Sequence, residues 1–569
     1  MFNTTAAGAT GDLIEITFGN LLNMLEEKYS DKLCVKYRDR DYTRTFAEFN
    51  QEVEKAAKGF LALGIGRNDH IAIWATNTPE WLITFFAAAK IGAVLVTVNT
   101  NYKIFEAEYL LRQSDSKAVV LIDGCKDSNY LEIINKLVPS LAEHDKSQEI
   151  NEASLPRLKR VIYAGKKDET PGGMIRFNEL YDLSGQTDDA DFKELTASLD
   201  PHDVVNMQYT SGTTGFPKGV MLTHYNIINN GKNIGDCMRF TPDDKLLICV
   251  PFFHCFGMVL SITACVTHAS AMIPIVYDYF PSLEVMDALQ NEGCTAFHGV
   301  PTMFINILEH PDFKKYDFSK LRTGIMAGSV CPEKVMRDAA EFMNMKQITS
   351  VYGLTEASPG CTQHDVIDDP LDIRVSTVGK VLPHVEAKII NPETGKTVGP
   401  GVPGEFCARG YNIMKGYYKM EEATRQAIDA DGWLHTGDIA VADENGFYKI
   451  TGRLKDMIIR GGENISPKEI EEFIYTVPQV KDVQVIGIPS KRLGEEIMAC
   501  VILKDGESLS EEELQQAVKA NLARHKVPKY VKFMDVFPMT ASGKIQKYKL
   551  REMAVEELDL SEENKIEKA

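Results

Sequence analysis

The 569-residue sequence predicts an α/β protein with a large N-terminal domain of layered α/β sheets and a small C-terminal α/β domain. Helical and strand-like segments alternate over the first 165 residues, which is typical of parallel sheets flanked by helices. From about residue 457, a second set of helix and strand signals indicates a compact module. A chain of this length exceeds one common domain, so two or more domains are expected.

Helix caps and the spacing of apolar residues indicate the N-terminal elements. Thr45 and Glu48 have the spacing of a capping box, and apolar residues recur at helical intervals after them. The segment HIAIWA, which begins at His70, predicts a buried strand. After it, PEWLITFFAAAKIGA predicts a helix, VLVTVNT a strand, FEAEYLLRQ a helix and KAVVLID a strand. The polar and acidic segment 166–202 indicates a surface connector, and the strand-like VVNMQYT follows it.

The C-terminal module has its own helix starts. Ser466 followed by Pro467 predicts an N-cap and a first helical residue, and VQVIGI predicts a strand after that helix. Ser510 and Glu513 form a second capping-box pattern. The charge-rich tail after Leu550 is expected to fray.

Composition excludes several classes of protein. The formal charge of -19 argues against a nucleic-acid partner. The 11 cysteines contain no C-x-x-C pair, so the spacing indicates neither a zinc site nor a redox dithiol, and reduced thiols in a cytoplasmic protein are expected. The N-terminus lacks a secretory pattern. The most apolar stretch, which starts at Phe256, contains His268 and Pro274 and predicts a buried helix and strand, not a transmembrane segment.

The segment QYTSGTTGFPKGVM is rich in groups that bind phosphate. Its glycines let backbone N–H groups approach an anion, its hydroxyls can donate hydrogen bonds, and Lys218 supplies positive charge. It is not a Walker A loop, because Pro217 occupies the position of the second glycine and the residue after Lys218 is Gly219 instead of Ser or Thr. The alternative is a flexible surface turn.

Four further motifs carry candidate site residues. In VYGLTEASPG, Tyr352 could stack on a base, Thr355 could donate to a phosphate and Glu356 could bind Mg²⁺. In DGWLHTGDIA, Asp438 could accept hydrogen bonds from ribose hydroxyls. GRLKDMIIRGGENI combines basic residues with a glycine-rich turn, and TASGKIQKYKL places Lys544 near a loop tip. Each motif alone also fits an ordinary turn or an exposed side chain, but their joint occurrence in this order is specific.

Five motifs in this order are together specific to one family: YTSGTTGFPKGVMLTH, YGLTE, GWLHTGD, GRLKDMI and SGKI. Through them, the chain resembles the acyl-CoA synthetases of the adenylate-forming, AMP-binding superfamily over nearly its whole length. The resemblance implies an N-terminal domain over 1–452, a hinge over 453–456 that includes Lys455, and a mobile C-terminal domain over 457–569. Many members have Asp where this chain has Lys455. The implied reaction has two halves: Mg-ATP and a carboxylic acid give acyl-adenylate and pyrophosphate, and CoA then displaces AMP.

The resemblance also implies a role for each motif. The glycine-rich loop would hold the phosphates that leave as pyrophosphate, Glu356 would hold Mg²⁺, and Lys544 would bridge the attacking carboxylate and the α-phosphate. Domain closure would deliver Lys544, and its withdrawal would let the second glycine-rich turn border the pantetheine of CoA. The expected catalytic residues are Thr355, Glu356 and Lys544; the expected ATP- and CoA-binding residues are Thr210, Ser211, Gly212, Thr213, Thr214, Gly215, Lys218, Tyr352, Gly353, Asp438, Arg453, Gly461 and Gly462.

The expected acyl-pocket residues are His254, Phe256, Gly328 and Ser329, although His254 could equally be a core histidine. The segments PFFHCFGM, GVPTMF and AGSVCPE contain no Lys or Arg, which favours a monocarboxylic acid, and the resemblance is strongest to the medium-chain fatty-acid branch. The alternatives are an acyl-AMP ligase, an aryl or other acid–CoA ligase, a luciferase-like oxygenase and, from another class, a non-catalytic nucleotide-binding regulator. The expected partners are the acid, ATP and CoA, and the expected assembly is a monomer or homodimer.

Overall fold

The computed structural model of the chain describes residues 12–210, 217–329, 331–460, 463–490, 493–522, 524–540 and 543–560. The helices of this part of the chain are α1 (Phe18–Tyr29), α2 (Phe46–Ala62), α3 (Pro79–Lys90), α4 (Ile104–Gln113), α5 (Tyr130–Leu137), α6 (Glu179–Leu183), α7 (Asp189–Ala197), α8 (His224–Cys237), α9 (Cys255–Gly257), α10 (Ala264–His268), α11 (Ser282–Asn291), α12 (Pro301–Leu308), α13 (Glu333–Phe342), α14 (Leu371–Ser376), α15 (Glu421–Ala427), α16 (Pro467–Ile474), α17 (Glu511–Asn521) and α18 (Lys547–Glu557).

The strands are β1 (Leu33–Tyr37), β2 (Tyr42–Thr45), β3 (His70–Trp74), β4 (Val94–Thr97), β5 (Ser116–Leu121), β6 (Gly124–Cys125), β7 (Ser128–Asn129), β8 (Arg160–Tyr163), β9 (Ile175–Arg176), β10 (Val204–Thr210), β11 (Lys218–Thr223), β12 (Lys245–Ile248), β13 (Ala271–Pro274), β14 (Ala296–His298), β15 (Thr323–Ile325), β16 (Gln347–Thr349), β17 (Val351–Gly353), β18 (Gly360–Gln363), β19 (Lys380–Val381), β20 (Val385–Ile390), β21 (Gly404–Gly410), β22 (Gly416–Tyr417), β23 (Leu434–Ala442), β24 (Tyr448–Arg453), β25 (Ile458–Arg460), β26 (Glu463–Ile465), β27 (Val480–Ser490), β28 (Gly494–Leu503) and β29 (Tyr530–Phe533).

Two large sheets form the N-terminal layers. The seven-stranded sheet has the order β16-β15-β14-β12-β13-β1-β2, and all its strands are parallel to their neighbours except the edge strand β2. The eight-stranded sheet has the order β22-β11-β10-β4-β3-β5-β8-β9 and is parallel from β10 to β9. The predicted parallel α/β layers are therefore confirmed.

Antiparallel strands and a separate module complete the fold. β20, β21, β23 and β24 form an antiparallel sheet, and β17, β18 and β19 form a smaller one. In the C-terminal part, β26, β25, β28 and β27 form an antiparallel sheet to which β29 adds in parallel. α16 and α17 pack on this sheet around a hydrophobic cluster of its own, which includes Ile470, Val483 and Leu514.

Local signals for helix starts correspond to real caps. The Glu48 N–H donates to Thr45 Oγ1 at 3.2 Å, and the Thr45 N–H donates to Glu48 Oε2 at 2.9 Å, so α2 begins in the predicted capping box. Ser510 and Glu513 make the same reciprocal pair at the start of α17. Ser466 is the residue before α16 as expected, but its hydroxyl donates to the carbonyl of Thr451 instead of capping the helix.

The apolar stretch from Phe256 is a buried helical segment followed by β13, as predicted. Its middle, Met258–Thr263, is a π-helix, and the Ser261 and Thr263 hydroxyls donate at 2.9 Å to the carbonyls of Phe256 and Met258. The polar side chains within this stretch are thus satisfied by its own backbone. Among the described residues, the helices are all too short or too polar to cross a bilayer.

Two predictions from polar composition were wrong. Segment 166–202 is not a plain connector, because it contains β9, α6 and α7 and buries Leu180 and Phe192 against the core. The tail after Leu550 does not fray immediately, because α18 continues to Glu557 and buries Ala554 and Val555. In both segments, a few apolar residues at helical spacing outweigh the surrounding charge. Residues 561–569 lie outside the described part of the chain.

Candidate active site

The glycine-rich segment joins two antiparallel strands. Thr210 ends β10 and pairs in register with Lys218, which starts β11. A Walker A loop instead leads from a strand into a helix, whereas this segment lies between two paired strands of one sheet. The Lys218 ammonium lies 4.9 Å from the centre of the Tyr417 ring. The predicted residues Ser211, Gly212, Thr213, Thr214 and Gly215 lie outside the described residues.

Glu356 is held from two sides. The Tyr417 hydroxyl donates to Glu356 Oε1 at 2.8 Å, and the Met414 N–H donates to the Glu356 carbonyl at 2.9 Å. Tyr417 lies on β22, which pairs with β11, so the glycine-rich hairpin and the Glu356 turn are joined through this one aromatic residue. Lys218, Tyr417 and Glu356 therefore form a continuous row of contacting side chains.

The segment around Thr355 leaves no room for a larger residue at Gly353. A Cβ added to Gly353 would lie 1.7 Å from the carbonyl oxygen of Pro359, so only glycine allows the strand β17 to approach the return chain. Thr355 itself is buried next to Glu356. Backbone crowding thus fixes the turn that carries Thr355 and Glu356, two of the three predicted catalytic residues.

Asp438 is buried and binds two neighbours. Arg453 Nε donates to Asp438 Oδ1 at 2.9 Å, and the Tyr352 hydroxyl donates to Asp438 Oδ2 at 2.8 Å. Burial raises the pKa of Asp438, while Arg453 and Tyr352 oppose that rise. Tyr352 also packs edge-on against Phe406, with 5.1 Å between the ring centres. The sequence predicted Tyr352 only as a stacking residue, and its hydroxyl contact with Asp438 was missed.

Lys544 reaches these residues from the C-terminal part of the chain. The Thr540 N–H donates to the Lys544 carbonyl at 2.7 Å, and the Lys544 N–H donates to Thr540 Oγ1 at 3.0 Å, which closes a tight loop. Gly543 has φ +79° at the tip, and a Cβ there would lie 3.0 Å from Val300 Cγ2. The loop thus packs directly against the N-terminal layers.

The environment of Lys544 is mixed in charge. Removal from water and then the positive charge of Arg453 lower the pKa of Lys544, whereas the carboxylates of Asp438 and Glu356 oppose that lowering. Lys544 also lowers the pKa of His254. The structure therefore gathers Lys544, Glu356, Asp438, Arg453 and His254 in one place, although they are far apart in the sequence.

His254 is a neutral, oriented histidine. It caps α9, and its Nδ1 accepts a hydrogen bond from the Phe256 N–H at 3.1 Å. Burial, followed by the charge of Lys544, lowers the pKa of His254 to about 3. Because Nδ1 is an acceptor, the ring proton is on Nε2, which can donate to a ligand.

The other acyl-pocket candidates lie around Val300. A Cβ on Gly328, where φ is +92°, would lie 3.0 Å from Val300 Cγ1 and 4.0 Å from Phe256 Cδ1. Phe256 is buried and its ring centre lies 5.9 Å from that of His298. Ser329 is exposed, so it borders this apolar group only at its outer edge.

The predicted hinge is a short turn. Leu454–Asp456 forms a single 3₁₀ turn between β24 and β25. The Lys455 side chain and the residues Gly461 and Gly462 lie outside what the structure describes.

Comparison with known proteins identifies the family. A sequence model described as AMP-binding enzyme matches residues 25–418, and one described as AMP-binding enzyme C-terminal domain matches residues 469–544. The chain belongs to the AMP-binding enzyme family. It is 53% identical over 550 residues to YngI of Bacillus subtilis, which is named as an acyl-CoA synthetase. The alignment covers 97% of this chain and 99% of that protein.

Further relatives agree with this assignment. The medium-chain acyl-CoA ligase ACSF2 of Bos taurus is 38% identical over 549 residues, covering 96% of this chain and 88% of that protein. The ATP-bound structure of MatB from Rhodopseudomonas palustris has a TM-score of 0.79 and 29% identity, covering 95% and 99% of the two chains. An anthranilate CoA ligase in complex with anthranoyl-AMP has a TM-score of 0.81 at 24% identity, which supports the shared fold. This AMP-binding enzyme is thus an acyl-CoA synthetase, an AMP-forming acid–CoA ligase, and the predicted family and fold are confirmed.

Two side-chain contacts connect residues on opposite sides of the predicted hinge. Lys468 Nζ on α16 donates to the Ile450 carbonyl at 2.7 Å, and Lys481 Nζ lies 3.5 Å from Glu309 Oε2.

The sequence did not predict Tyr417 as a site residue. The segment KGYY has no motif spacing, and the residues that Tyr417 contacts come from other segments.

Proposed function

We propose that this acyl-CoA synthetase activates a medium-chain monocarboxylic fatty acid in the cytoplasm, using Mg-ATP, and transfers the acyl group to CoA. The observation that supports the proposal is the packing of the Lys544 loop against Val300, where the charges of Asp438 and Glu356 act on the pKa of Lys544 and the charge of Lys544 acts on that of His254. The chain length is inferred from the relationship to the medium-chain ligase of Bos taurus and from the apolar surroundings of Phe256 and Val300.

In the first half-reaction, Lys544 is the main source of positive charge at the reacting atoms. Its ammonium would bridge the attacking carboxylate and the α-phosphate, stabilising the negative charge that develops as the bond forms. Thr355 would donate to the same phosphate. His254, neutral and carrying its proton on Nε2, would orient the acid without adding charge. Lys218 would face the leaving pyrophosphate.

Asp438 and Arg453 would hold the ribose. An ionised carboxylate has about four acceptor positions, so Asp438 can keep its bonds to Arg453 and Tyr352 and still accept ribose hydroxyls. Arg453 favours the ionised form against the cost of burial. Tyr352 and Gly353 would lie under the adenine.

Glu356 is the residue that fits a magnesium ion. Its carboxylate is the hard oxygen donor that Mg²⁺ prefers, and the Tyr417 hydroxyl orients it from one side. When bound, the ion neutralises phosphate charge. The predicted loop residues 210–215 would supply the remaining phosphate contacts.

The second half-reaction requires Lys544 to leave. We assign residues 1–452 to the N-terminal domain, 453–456 to the hinge and 457–569 to the moving domain. Rotation at the hinge would break the Lys468–Ile450 and Lys481–Glu309 contacts and withdraw Lys544. The Gly461–Gly462 turn would then border the pantetheine arm. This movement gates the reaction and adds nothing to the chemical step itself.

The proposal is tested by measuring pyrophosphate release and thioester formation for straight-chain acids of graded length, with and without CoA. We expect acid-dependent pyrophosphate in both cases, thioester only with CoA, and the highest kcat/KM for acids of medium length. Pyrophosphate without thioester would indicate an acyl-AMP ligase. A maximum with aromatic acids would place the enzyme in the aryl branch, and no acid-dependent product at all would indicate a regulator.

A further inference from the structure

Three donor atoms of different chemistry converge between strands β21 and β23. His435 Nδ1 lies 3.1 Å from Glu405 Oε2 and 3.7 Å from Cys407 Sγ, and the three donor atoms all lie within 4.8 Å of one another. We call Glu405, Cys407 and His435 the Glu–Cys–His cluster. None of the three residues has a role in the proposed reaction.

The sheet brings the cluster together. Cys407 and His435 are direct cross-strand partners in the antiparallel pair of β21 and β23, so their side chains emerge on the same face. Glu405 is two residues from Cys407 on β21, and alternate residues of a strand share a face. The irregular pairing between Glu405 and Cys407 turns the Glu405 carboxylate towards the histidine.

The spacing matches a tetrahedral zinc site. Zinc binds thiolate sulfur at about 2.3 Å and histidine nitrogen or carboxylate oxygen at about 2.0–2.2 Å, so two ligands of one ion lie roughly 3.3–3.6 Å apart. The observed separations of 3.7 Å and 3.1 Å fall on either side of that interval. Shifts of a few tenths of an ångström would therefore bring both separations from His435 Nδ1 to the values of a zinc site, and the Cys407 and Glu405 donor atoms lie within 4.8 Å of each other.

The surroundings already fix two of the three ligands. Asp429 Oδ2 lies 3.4 Å from His435 Nε2, on the opposite side of the ring from the cluster. Asp429 is itself held, because its Oδ1 accepts from the N–H groups of Asp431 and Trp433 at 2.9 Å. Glu405 Oε1 accepts from the Gly437 N–H at 3.0 Å, which leaves Oε2 turned to the cluster. A carboxylate behind a histidine is the usual support for a zinc ligand.

Solvent reaches the cluster from one side. Cys407 is buried, but 31% of the His435 side chain is exposed, so an ion can enter past the imidazole. A thiolate, an imidazole and a carboxylate together favour zinc over magnesium, which prefers oxygen ligands only. Three protein ligands leave a fourth position for water.

We propose that Glu405, Cys407 and His435 bind one Zn²⁺ ion, separate from the magnesium position at Glu356. The bound ion joins β21 to β23. Because Glu405 also binds the Gly437 N–H, the site borders the turn that leads to Asp438. This proposal does not depend on the acid that the enzyme activates.

The test uses the full chain after chelator treatment, titrated with Co²⁺ as a spectroscopic substitute and with Zn²⁺ in competition. We expect one equivalent of Co²⁺ to bind with a thiolate-to-cobalt absorption band, and Zn²⁺ to displace it. Cys407→Ser removes the band. Cys361→Ser, at another buried cysteine on β18, keeps it. Asp429→Asn weakens zinc binding by about 10–100-fold by releasing the support of His435.

The controls separate metal binding from folding. Circular dichroism and thermal melting without metal show whether each variant folds. On adding zinc, the wild type and Cys361→Ser gain melting temperature, Asp429→Asn gains less at the same zinc concentration, and Cys407→Ser gains none. If Cys407→Ser does not fold, His435→Gln decides, because its ring is partly exposed. No stoichiometric binding in the wild type, or an unchanged cobalt band in the folded Cys407→Ser or His435→Gln variant, would overturn the proposal.

Discussion

Arg453 Nε donates to Asp438 Oδ1 at 2.9 Å, and the two residues are register partners in strands β23 and β24. Arg453 is also the residue that precedes the 3₁₀ turn of the proposed hinge. The proposed ribose carboxylate and the proposed hinge thus share one contact. A rotation at the proposed hinge would therefore start at Arg453, which contacts the proposed ribose-binding carboxylate of Asp438.

Arg453→Gln should shift the acid limb of the pH profile. Burial raises the pKa of Asp438 and Arg453 opposes that rise, so removing the guanidinium raises this pKa further. Ribose binding needs the ionised carboxylate, so activity that falls as the pH drops will fall at a higher pH in the variant. Arg453→Lys keeps the positive charge and should shift the limb less. The measurement is kcat/KM for ATP against pH, and coincident acid limbs in wild type and Arg453→Gln would refute the assignment.

Tyr417→Phe should weaken the use of magnesium and ATP. The ring beneath Lys218 remains, but Glu356 loses a hydrogen bond to a charged group, which is worth about 1.5–3 kcal/mol. We expect the magnesium concentration for half-maximal rate to rise by about tenfold or more, in line with that energy. The control is Tyr418→Phe, which loses a bond to Asp115 instead. Equal magnesium dependence in both variants would show that Tyr417 has no such role.

Gly328→Ala should shift the preference towards shorter acids. The added methyl group would point at Val300 Cγ1 and towards Phe256, which narrows the proposed acyl pocket. Gly328 has φ +92°, so some loss of stability is expected from backbone strain alone. Gly395→Ala, at φ +67° with open space around the new methyl group, is the matched control for strain. An unchanged ratio of kcat/KM between long and short acids would place Gly328 outside the pocket.

Local signals predicted much of the fold, because they act over a few residues. The capping boxes at Thr45 and Ser510 and the alternation of helices and strands depend only on neighbouring residues and were confirmed. Segment 166–202 and the tail were misjudged because sparse apolar residues such as Leu180 and Val555 gain their stability from distant packing. Composition alone does not reveal such packing.

The sequence predicted those residues of the candidate site that belong to short motifs, but not those that strand pairing brings to the site. Glu356, Asp438 and Lys544 stand in short motifs, whereas Tyr417 reaches Glu356 only because β22 pairs with β11. The Glu–Cys–His cluster escaped a search along the chain for the same reason. A motif such as C-x-x-C reveals metal ligands that are close in the sequence. Cys407 and His435 are far apart in the sequence and become neighbours only because β21 pairs with β23.

The most direct test of the account separates the two half-reactions in Lys544→Ala. We predict that acid-dependent pyrophosphate release falls by about 10²–10³, because one charge-stabilising contact is lost, while thioester formation from supplied acyl-adenylate and CoA is retained. Removal from water, followed by the Arg453 charge, lowers the pKa of Lys544. As the pH rises, the Lys544 ammonium should therefore lose its proton below the ordinary lysine pKa of about 10.4, and the rate of the wild-type first half-reaction should fall with it. Lys549→Ala, at an exposed lysine of α18, is the control and should leave both halves unchanged. If Lys544→Ala released pyrophosphate at the wild-type rate, or lost both halves equally while folded, the central role of Lys544 in adenylation would be contradicted.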